Sequence, residues 1–252
     1  MNRKRATLIG ALLVLMSSTT AWAMSQPEYR SVEENLSGVS QIRMITGSVD
    51  VEIVPASGPA RVEARLHEDR ELVVERSGDR ALIEVRGSVS IMFSVSTTRE
   101  LVTIYAPARA TLSIQTGSGD VEVRDLELSA LEIRAGSADI TLADLSGEIA
   151  LETGSGDITL DTVRGLREIE TGSGDVGGRE VTLDGALTID TGSGDVDLEL
   201  SNAEDELRFE LRVGSGDLSV NSVRSEDSLD LGDGTLTVRA TSGSGDQRYR
   251  TR

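Results

Sequence analysis

Apolar and polar residues alternate along most of this chain, and the same short polar word interrupts the alternation again and again. Around "LETGSGDITL", residues 151–160, the apolar-side positions are Ile149, Leu151 and Thr153 before the word, then Ile158 and Leu160 after it. A period of two predicts short strands with one buried face. The step from Thr153 to Ile158 is odd, so the buried parity flips across Gly154-Ser155-Gly156-Asp157. In one straight strand that flip would turn every later side chain to the wrong face, so the word marks a corner.

The word recurs with leading glycines at Gly117, Gly136, Gly154, Gly172, Gly192 and Gly214, in steps of 19, 18, 18, 20 and 22 residues. A weaker copy stands at Gly232 ("LGDGTLTV"), a short last one at Gly243 ("SGSGDQRY"), and a diverged one in "ITGSVDVEIV" from Ile45. Steps of this length, each holding short strands and corners, fit one coil of a β-solenoid whose coils stack at about 4.8 Å. A two-sheet sandwich would favour Asn-Gly or Asp-Gly hairpins without a strict register. A hexapeptide solenoid would repeat its apolar residues every six positions, which this chain does not do. The expected fold is therefore all-β: a single-chain β-solenoid, or parallel β-helix, read as right-handed.

Four segments are expected. Residues 1–23 are a secretory leader, 24–110 a less regular β region capping the solenoid, 111–246 the repeat solenoid, and 247–252 a polar tail. The capping strands include "ARVEARL", "ELVVER" and "ALIEVRGSVSIMF", and a covered terminal coil prevents edge-to-edge association. The leader has a basic start at Arg3, Lys4 and Arg5, an apolar run from Ala6 to Met16, and Ala21-Trp22-Ala23 before the expected cleavage. No later apolar run approaches the length of a membrane helix, so no integral membrane segment is expected after cleavage.

Charge narrows the choice of partner. The net formal charge of −18 becomes −21 once the three basic leader residues are removed, and Lys4 is the only lysine. So acidic a surface repels phosphate backbones and anionic lipid, which argues against nucleic acid. With no cysteine, thiol chemistry is excluded and the core must hold without disulfides.

Few residues offer catalysis. The one histidine, His67, shares the strand parity of Arg61, Glu63 and Arg65, so it is expected to face solvent. Motif serines such as Ser155 and Ser173 lack the surroundings of a nucleophile elbow. Carboxylates are plentiful, which keeps a carbohydrate-active enzyme as an alternative. Sugar sites favour aromatic platforms, however, and after the leader only Tyr29, Phe93, Tyr105, Phe209 and Tyr249 remain, scattered along the chain. No catalytic, cofactor-binding or metal-ligating residue is assigned.

The repeated Asp120, Asp139, Asp157, Asp175, Asp195 and Asp217 pose the sharper question. In one row, neighbours 4.8 Å apart repel by about 0.9 kcal/mol per pair in water. Hydrogen bonds from each corner's own backbone N–H groups, or from a serine hydroxyl, offset that, and glycine is expected at the corner for its access to positive φ. Calcium between coils is the competing explanation; the hydrogen-bonded corner is preferred, because the word is one residue shorter than a "GGxGxD" roll and its period twice as long.

"LVTIYAPARATLSIQTGSGDVEV", followed by serial "TGSGDI/V" corners, resembles the bacterial putative-adhesin family, a domain of unknown function similar in style to head GIN adhesins. The resemblance runs from Val39 to Val238, with Tyr105-Ala106-Pro107 before the first repeat. It implies a β-solenoid in the envelope or at the surface, with no catalytic residues to carry over. The expectation is an exported, non-enzymatic structural or protein-interaction module, periplasmic rather than displayed, partnered by an unidentified envelope protein or surface ligand. A surface adhesin is the alternative.

Overall fold

A computed structural model describes residues 29–87 and 99–252; the expected leader, residues 1–23, and Phe93 lie outside them. The chain begins with β1 (Tyr29–Asn35), β2 (Gln41–Ile45), β3 (Asp50–Pro55), β4 (Arg61–His67), β5 (Glu71–Ser77), β6 (Arg80–Arg86) and β7 (Leu101–Ala106). The repeats supply β8 (Thr111–Thr116), β9 (Val121–Ala135), β10 (Ile140–Thr153), β11 (Ile158–Thr171), β12 (Val176–Val181), β13 (Leu187–Ser193) and β14 (Val196–Leu200). A 3-10 turn at Glu204–Glu206 precedes β15 (Leu207–Ser215), β16 (Leu218–Val220), β17 (Val223–Ser225), β18 (Ser228–Leu231), β19 (Leu236–Ser244) and β20 (Gln247–Arg250). Among the described residues no helix is long and apolar enough to cross a membrane.

The corners separate two faces of one coil. Strand before corner pairs with strand before corner, in parallel, and likewise after it. Thus Ile140 sits beside Ile158, Leu142 beside Leu160, Leu151 beside Ile169 and Thr153 beside Thr171. Like residues stack on like, and no coil could bury its apolar side alone; each buried Leu or Ile contributes about 1.5–3 kcal/mol. A second bend returns the chain from the after-corner face. It is made by non-glycine residues at positive φ, namely Asp125 (60°), Asp144 (50°), Thr162 (56°) and Glu180 (53°), a region where Asp pays less than most side chains. The interior is aliphatic from end to end, with Phe209 and Tyr249 adding aromatic bulk near one end.

In the middle, spatial order follows sequence order. At the ends it does not. On the before-corner face, β2 lies between β6 and β8, and β19 lies between β13 and β15. On the after-corner face, β3 lies between β7 and β9, and β20 between β14 and β16. Antiparallel strands cover the outermost coils: β5 on β6 and β4 with β1 on β7 at one end, β18 on β15 and β17 on β16 at the other.

Two expectations change. Residues 24–110 are not only a cap, because 41–55 form a complete coil whose Gly47 corner stacks beneath Gly117 (Gly117 N–H to the Gly47 carbonyl, 2.8 Å). Residues 247–250 are not a tail but an interior strand, with Gln247 and Tyr249 buried. The reason is parity: Gln247 and Tyr249 occupy the inward positions that Ile158 and Leu160 fill elsewhere. The copy at Gly232 is no corner of the stack; it joins β18 to β19.

Candidate interaction face

The corner comes first, because it decides what the repeated aspartates can do. In spatial order they are Asp50, Asp120, Asp139, Asp157, Asp175, Asp195, Asp246 and Asp217. Each backbone N–H after the first donates to Oδ1 of the aspartate in the coil before it, at 3.1, 3.3, 2.9, 2.9, 2.8, 2.8 and 2.9 Å in that order. The donor thus belongs to the next coil rather than to the same corner, which corrects the expectation. Where the backbone turns, no main-chain carbonyl meets this N–H, and the carboxylate takes its place as a charge-assisted acceptor. The aspartate carbonyl meanwhile accepts from the coil before, as in Ile158 N–H to Asp175 O at 2.9 Å.

Threonine completes the corner from inside. Gly156 N–H donates to Thr153 Oγ1 at 3.1 Å and Gly174 N–H to Thr171 Oγ1 at 3.0 Å, both buried. Glycine at the first corner position answers to close approach, not to positive φ. A Cβ on Gly117, Gly136, Gly154, Gly172, Gly192, Gly243 or Gly214 would stand 2.4–2.6 Å from the carbonyl oxygen of the neighbouring corner glycine. Ser155 and Ser173 are exposed, and their backbone N–H groups donate to Gly136 and Gly154.

The concave feature lies near the N-terminal end of the after-corner face, a cleft of about 1120 Å³. Its floor crosses six strands in register: Glu33 faces Glu63, Glu63 faces Thr103, Thr103 faces Glu52, Glu52 faces Glu122, and Glu122 faces Thr141. The lining includes the carboxylates Glu33, Asp50, Glu52, Glu63, Asp120, Glu122 and Asp139 against the guanidiniums Arg65 and Arg99. Leu101, one of two exposed large apolar side chains among the described residues, also lines it.

Glu33 directly opposite Glu63 would be destabilising unless a cation intervened. Arg61 supplies it: its guanidinium lies 3.4 Å from the Tyr105 ring centre, with Nε 2.8 Å from Glu63 and 3.9 Å from Glu33. The hydrogen bond to Glu63 holds the Arg61 pKa above its ordinary value. Tyr105 Oη also donates to Glu63, at 3.3 Å. Arg124 pairs with Glu52 and Glu122 at the rim. Arg99 bridges Asp50 (2.8 Å) and Asp120 (3.1 Å), closing the aspartate row at this end. Sequence reading missed the cleft because its strands are far apart in the chain; the alternating Glu and Arg of β4 and β9 were the only hint.

The other residues singled out from sequence fall elsewhere. His67 is not fully exposed: its side chain retains 16% of its surface, meets Tyr29 edge-on at 5.9 Å, and its Nδ1 accepts the Asp69 N–H at 3.2 Å. Phe209 and Tyr249 pack together in the core, 5.6 Å apart. Burial pushes the Tyr249 hydroxyl far above the usual tyrosine range. The structure therefore gathers none of the scattered aromatics into a sugar platform among the described residues.

None of the curated proteins matches this chain. Among solved structures, a putative adhesin from Parabacteroides merdae is similar over 88% of this chain and 96% of its own, with 11% identity and a TM-score of 0.51. A putative cell adhesion protein from Clostridium sporogenes is similar over 89% of this chain and 100% of its own, with 14% identity and a TM-score of 0.45. At 11% identity the likeness to the Parabacteroides merdae structure concerns the fold alone. The family model described as Toastrack DUF4097 matches twice, over residues 39–150 and 110–247, and together these spans run from before β2 to the first residue of β20. The chain belongs to the Toastrack DUF4097 family.

Proposed function

We propose that this protein is an exported, non-enzymatic β-solenoid of the bacterial envelope, acting as a structural or protein-interaction module. One observation carries the reading. The corner aspartates, the repeat's own candidate catalytic groups, stand one per coil, and each from Asp50 to Asp246 is engaged by a backbone N–H of the neighbouring coil. A group used to close the backbone ladder in every coil is scaffold, and repetition without convergence suits a surface rather than a reaction centre.

The acidic cleft is the face we assign to a partner. Even with Arg61 and Arg124 paired to its glutamates and Arg65 and Arg99 in its lining, the seven carboxylates of the cleft leave an acidic excess that favours a cationic surface and speeds its approach in low salt. Leu101 gives that partner an apolar foothold. Residues 1–23 support export, with the mature chain starting at Met24.

Expression with the leader intact, followed by fractionation and N-terminal sequencing, tests location; the expected product is periplasmic and begins at Met24. Retention of the uncleaved chain in the cytoplasm overturns export. Adhesion at the surface predicts instead that protease added to intact cells removes the protein. For the cleft, the double variant Glu63→Gln/Glu122→Gln should lower binding of an arginine-rich peptide relative to wild type, with the largest difference at low ionic strength. Equal binding by both proteins overturns that assignment.

A further inference from the structure

The coil at the C-terminus occupies a slot between two coils made earlier in the chain, and we propose that this slot accepts the same coil from a second copy, giving strand-exchanged dimers. One wall is β13 with β14 and the other β15 with β16. β19 pairs with β13 from Leu187↔Val238 to Ser193↔Ser244, and with β15 from Leu207↔Leu236 to Ser215↔Ser244. β20 pairs with β14 and β16. Among the described residues, β15 and β16 have no other strand neighbours than these and their antiparallel covers. The segment 207–231 is therefore joined to the rest of the sheet only through the last coil. Until that coil enters, two strand edges and an apolar interior face each other across a gap one coil wide.

Such a gap is a strand acceptor, because its unpaired N–H and C=O rows await a partner of fixed register. Everything that holds the last coil belongs to the walls. Asp246 N–H donates to Asp195, and Asp217 N–H to Asp246. Gln247 Nε2 donates to the Arg212 carbonyl at 2.8 Å, Thr251 N–H to Asn221 Oδ1 at 3.0 Å, and Tyr249 packs on Phe209. A second copy offers all of these identically. The connector, residues 232–235, is short and tight. Gly232 has φ +80°, and a Cβ on Gly234 would stand 2.1 Å from the Glu206 carbonyl carbon. Short hinges favour exchange. At the other end the inserted coil, 41–55, precedes both of its neighbours in the chain, so no slot waits for it.

The chain has no cysteine, which makes the test clean. Chains bearing Asp190→Cys are mixed with chains bearing Thr241→Cys, positions that pair across β13 and β19 and both face outward. The mixture is unfolded, refolded together and oxidised. Exchange predicts covalent dimers joining the two kinds of chain, about tenfold above the yield from Glu152→Cys mixed with Glu170→Cys, a pair in the sequence-ordered middle. Yields equal to that control overturn the proposal. A single chain carrying both Asp190→Cys and Thr241→Cys should close an internal disulfide as a monomer, and its failure to do so overturns the slot itself. Unsubstituted protein refolded at roughly 1 and 100 µM should show a dimer fraction by light scattering that rises with concentration, and Gly234→Ala should raise it further. Monomer alone at both concentrations overturns exchange.

Discussion

The middle of the stack and its two ends obey different rules. Between β8 and β14 each coil lies on its predecessor, every corner closes on the one before, and one set of contacts is repeated. At each end the terminal coil of the chain is moved one place inward and its neighbour in sequence takes the outside, under antiparallel strands. A strictly sequential stack would finish in a bare coil edge, which invites end-to-end growth. Reversing direction at the last coil ends the stack with strands of the opposite sense. The two ends are not equal, however. The covering strands β1, β4 and β5 are 7 residues each, whereas β17 and β18 are 3 and 4.

The largest expected effect separates the middle from the N-terminal end. A Cβ on Gly154 would meet the Gly136 carbonyl oxygen at 2.4 Å, backbone against backbone, with no flexible atom to move. A Cβ on Gly47, the equivalent residue of the first corner, meets nothing within 4 Å among the described residues. Gly154→Ala should therefore cost about 3 kcal/mol or more, and Gly47→Ala less, read from denaturant midpoints at constant slope. Equal losses would mean that the corners are not packed by close approach.

A second pair compares the ends. Ile53 and Tyr249 fill the same inward position in the two inserted coils, in one row with Leu142 and Leu160. Truncation to alanine should cost about 2–5 kcal/mol for Ile53 and about 3–5 for Tyr249. The distribution should differ more than the sum. With short covers on its end, Tyr249→Ala should let the amides of 207–250 exchange well ahead of those of 111–200, whereas Ile53→Ala should leave 207–250 protected. Uniform exchange in Tyr249→Ala would show that the C-terminal end does not open by itself.

The middle was legible in the sequence because its structure is periodic: the odd step from Thr153 to Ile158 forces a corner, and the 18-residue spacing sets like residues in register. The ends were not, for three physical reasons. Val49 stands, fully buried, where most later corners have glycine, so the first coil looks diverged while being complete. "QRYR" looks like a solvated finish, yet Tyr249 Oη donates to Gln247 Oε1 at 3.3 Å and Gln247 donates onward to Arg212, so both polar groups are satisfied inside. Spatial order at the ends depends on which strand edges remain open, and no local pattern encodes that. The cleft was illegible for the same reason. The aspartate row was read correctly as hydrogen-bonded, but its donor lies one coil away, and only the stacking reveals it.

The Tyr249 hydroxyl also gives the C-terminal end a signature in pH. Burial raises its folded-state pKa above the unfolded value, so the stability tied to the neutral phenol is present in full below about pH 10 and is lost as pH rises beyond that. Stability of the wild-type chain should fall above about pH 10 with a slope approaching 1.4 kcal/mol per pH unit from this residue alone, while Tyr249→Phe should remove that share of the slope. A slope unchanged by the substitution would mean that Tyr249 ionises freely in the folded state.

The smallest effect comes from the aspartate row. Asp157 Oδ1 accepts the Asp175 N–H at 2.9 Å, so Asp157→Ala leaves that N–H without its acceptor and should cost about 1–3 kcal/mol. Asp157→Asn keeps a carbonyl oxygen in place and should recover part of the loss, the remainder measuring the charge on the bond. Asp217 stands last in the row, with no further coil to donate to it, and Asp217→Ala should stay within about 0.5 kcal/mol. The carboxylates repel one another along the row, so a neutral side chain at one position also relieves its two neighbours, and the measured cost of Asp157→Ala is a difference of these terms. Raising the salt screens the repulsion between neighbouring carboxylates more than it weakens a direct hydrogen bond of 2.9 Å. The gap between Asp157→Ala and Asp217→Ala should therefore widen in high salt, and a gap that closes would assign the row's role to surface charge instead of to the backbone.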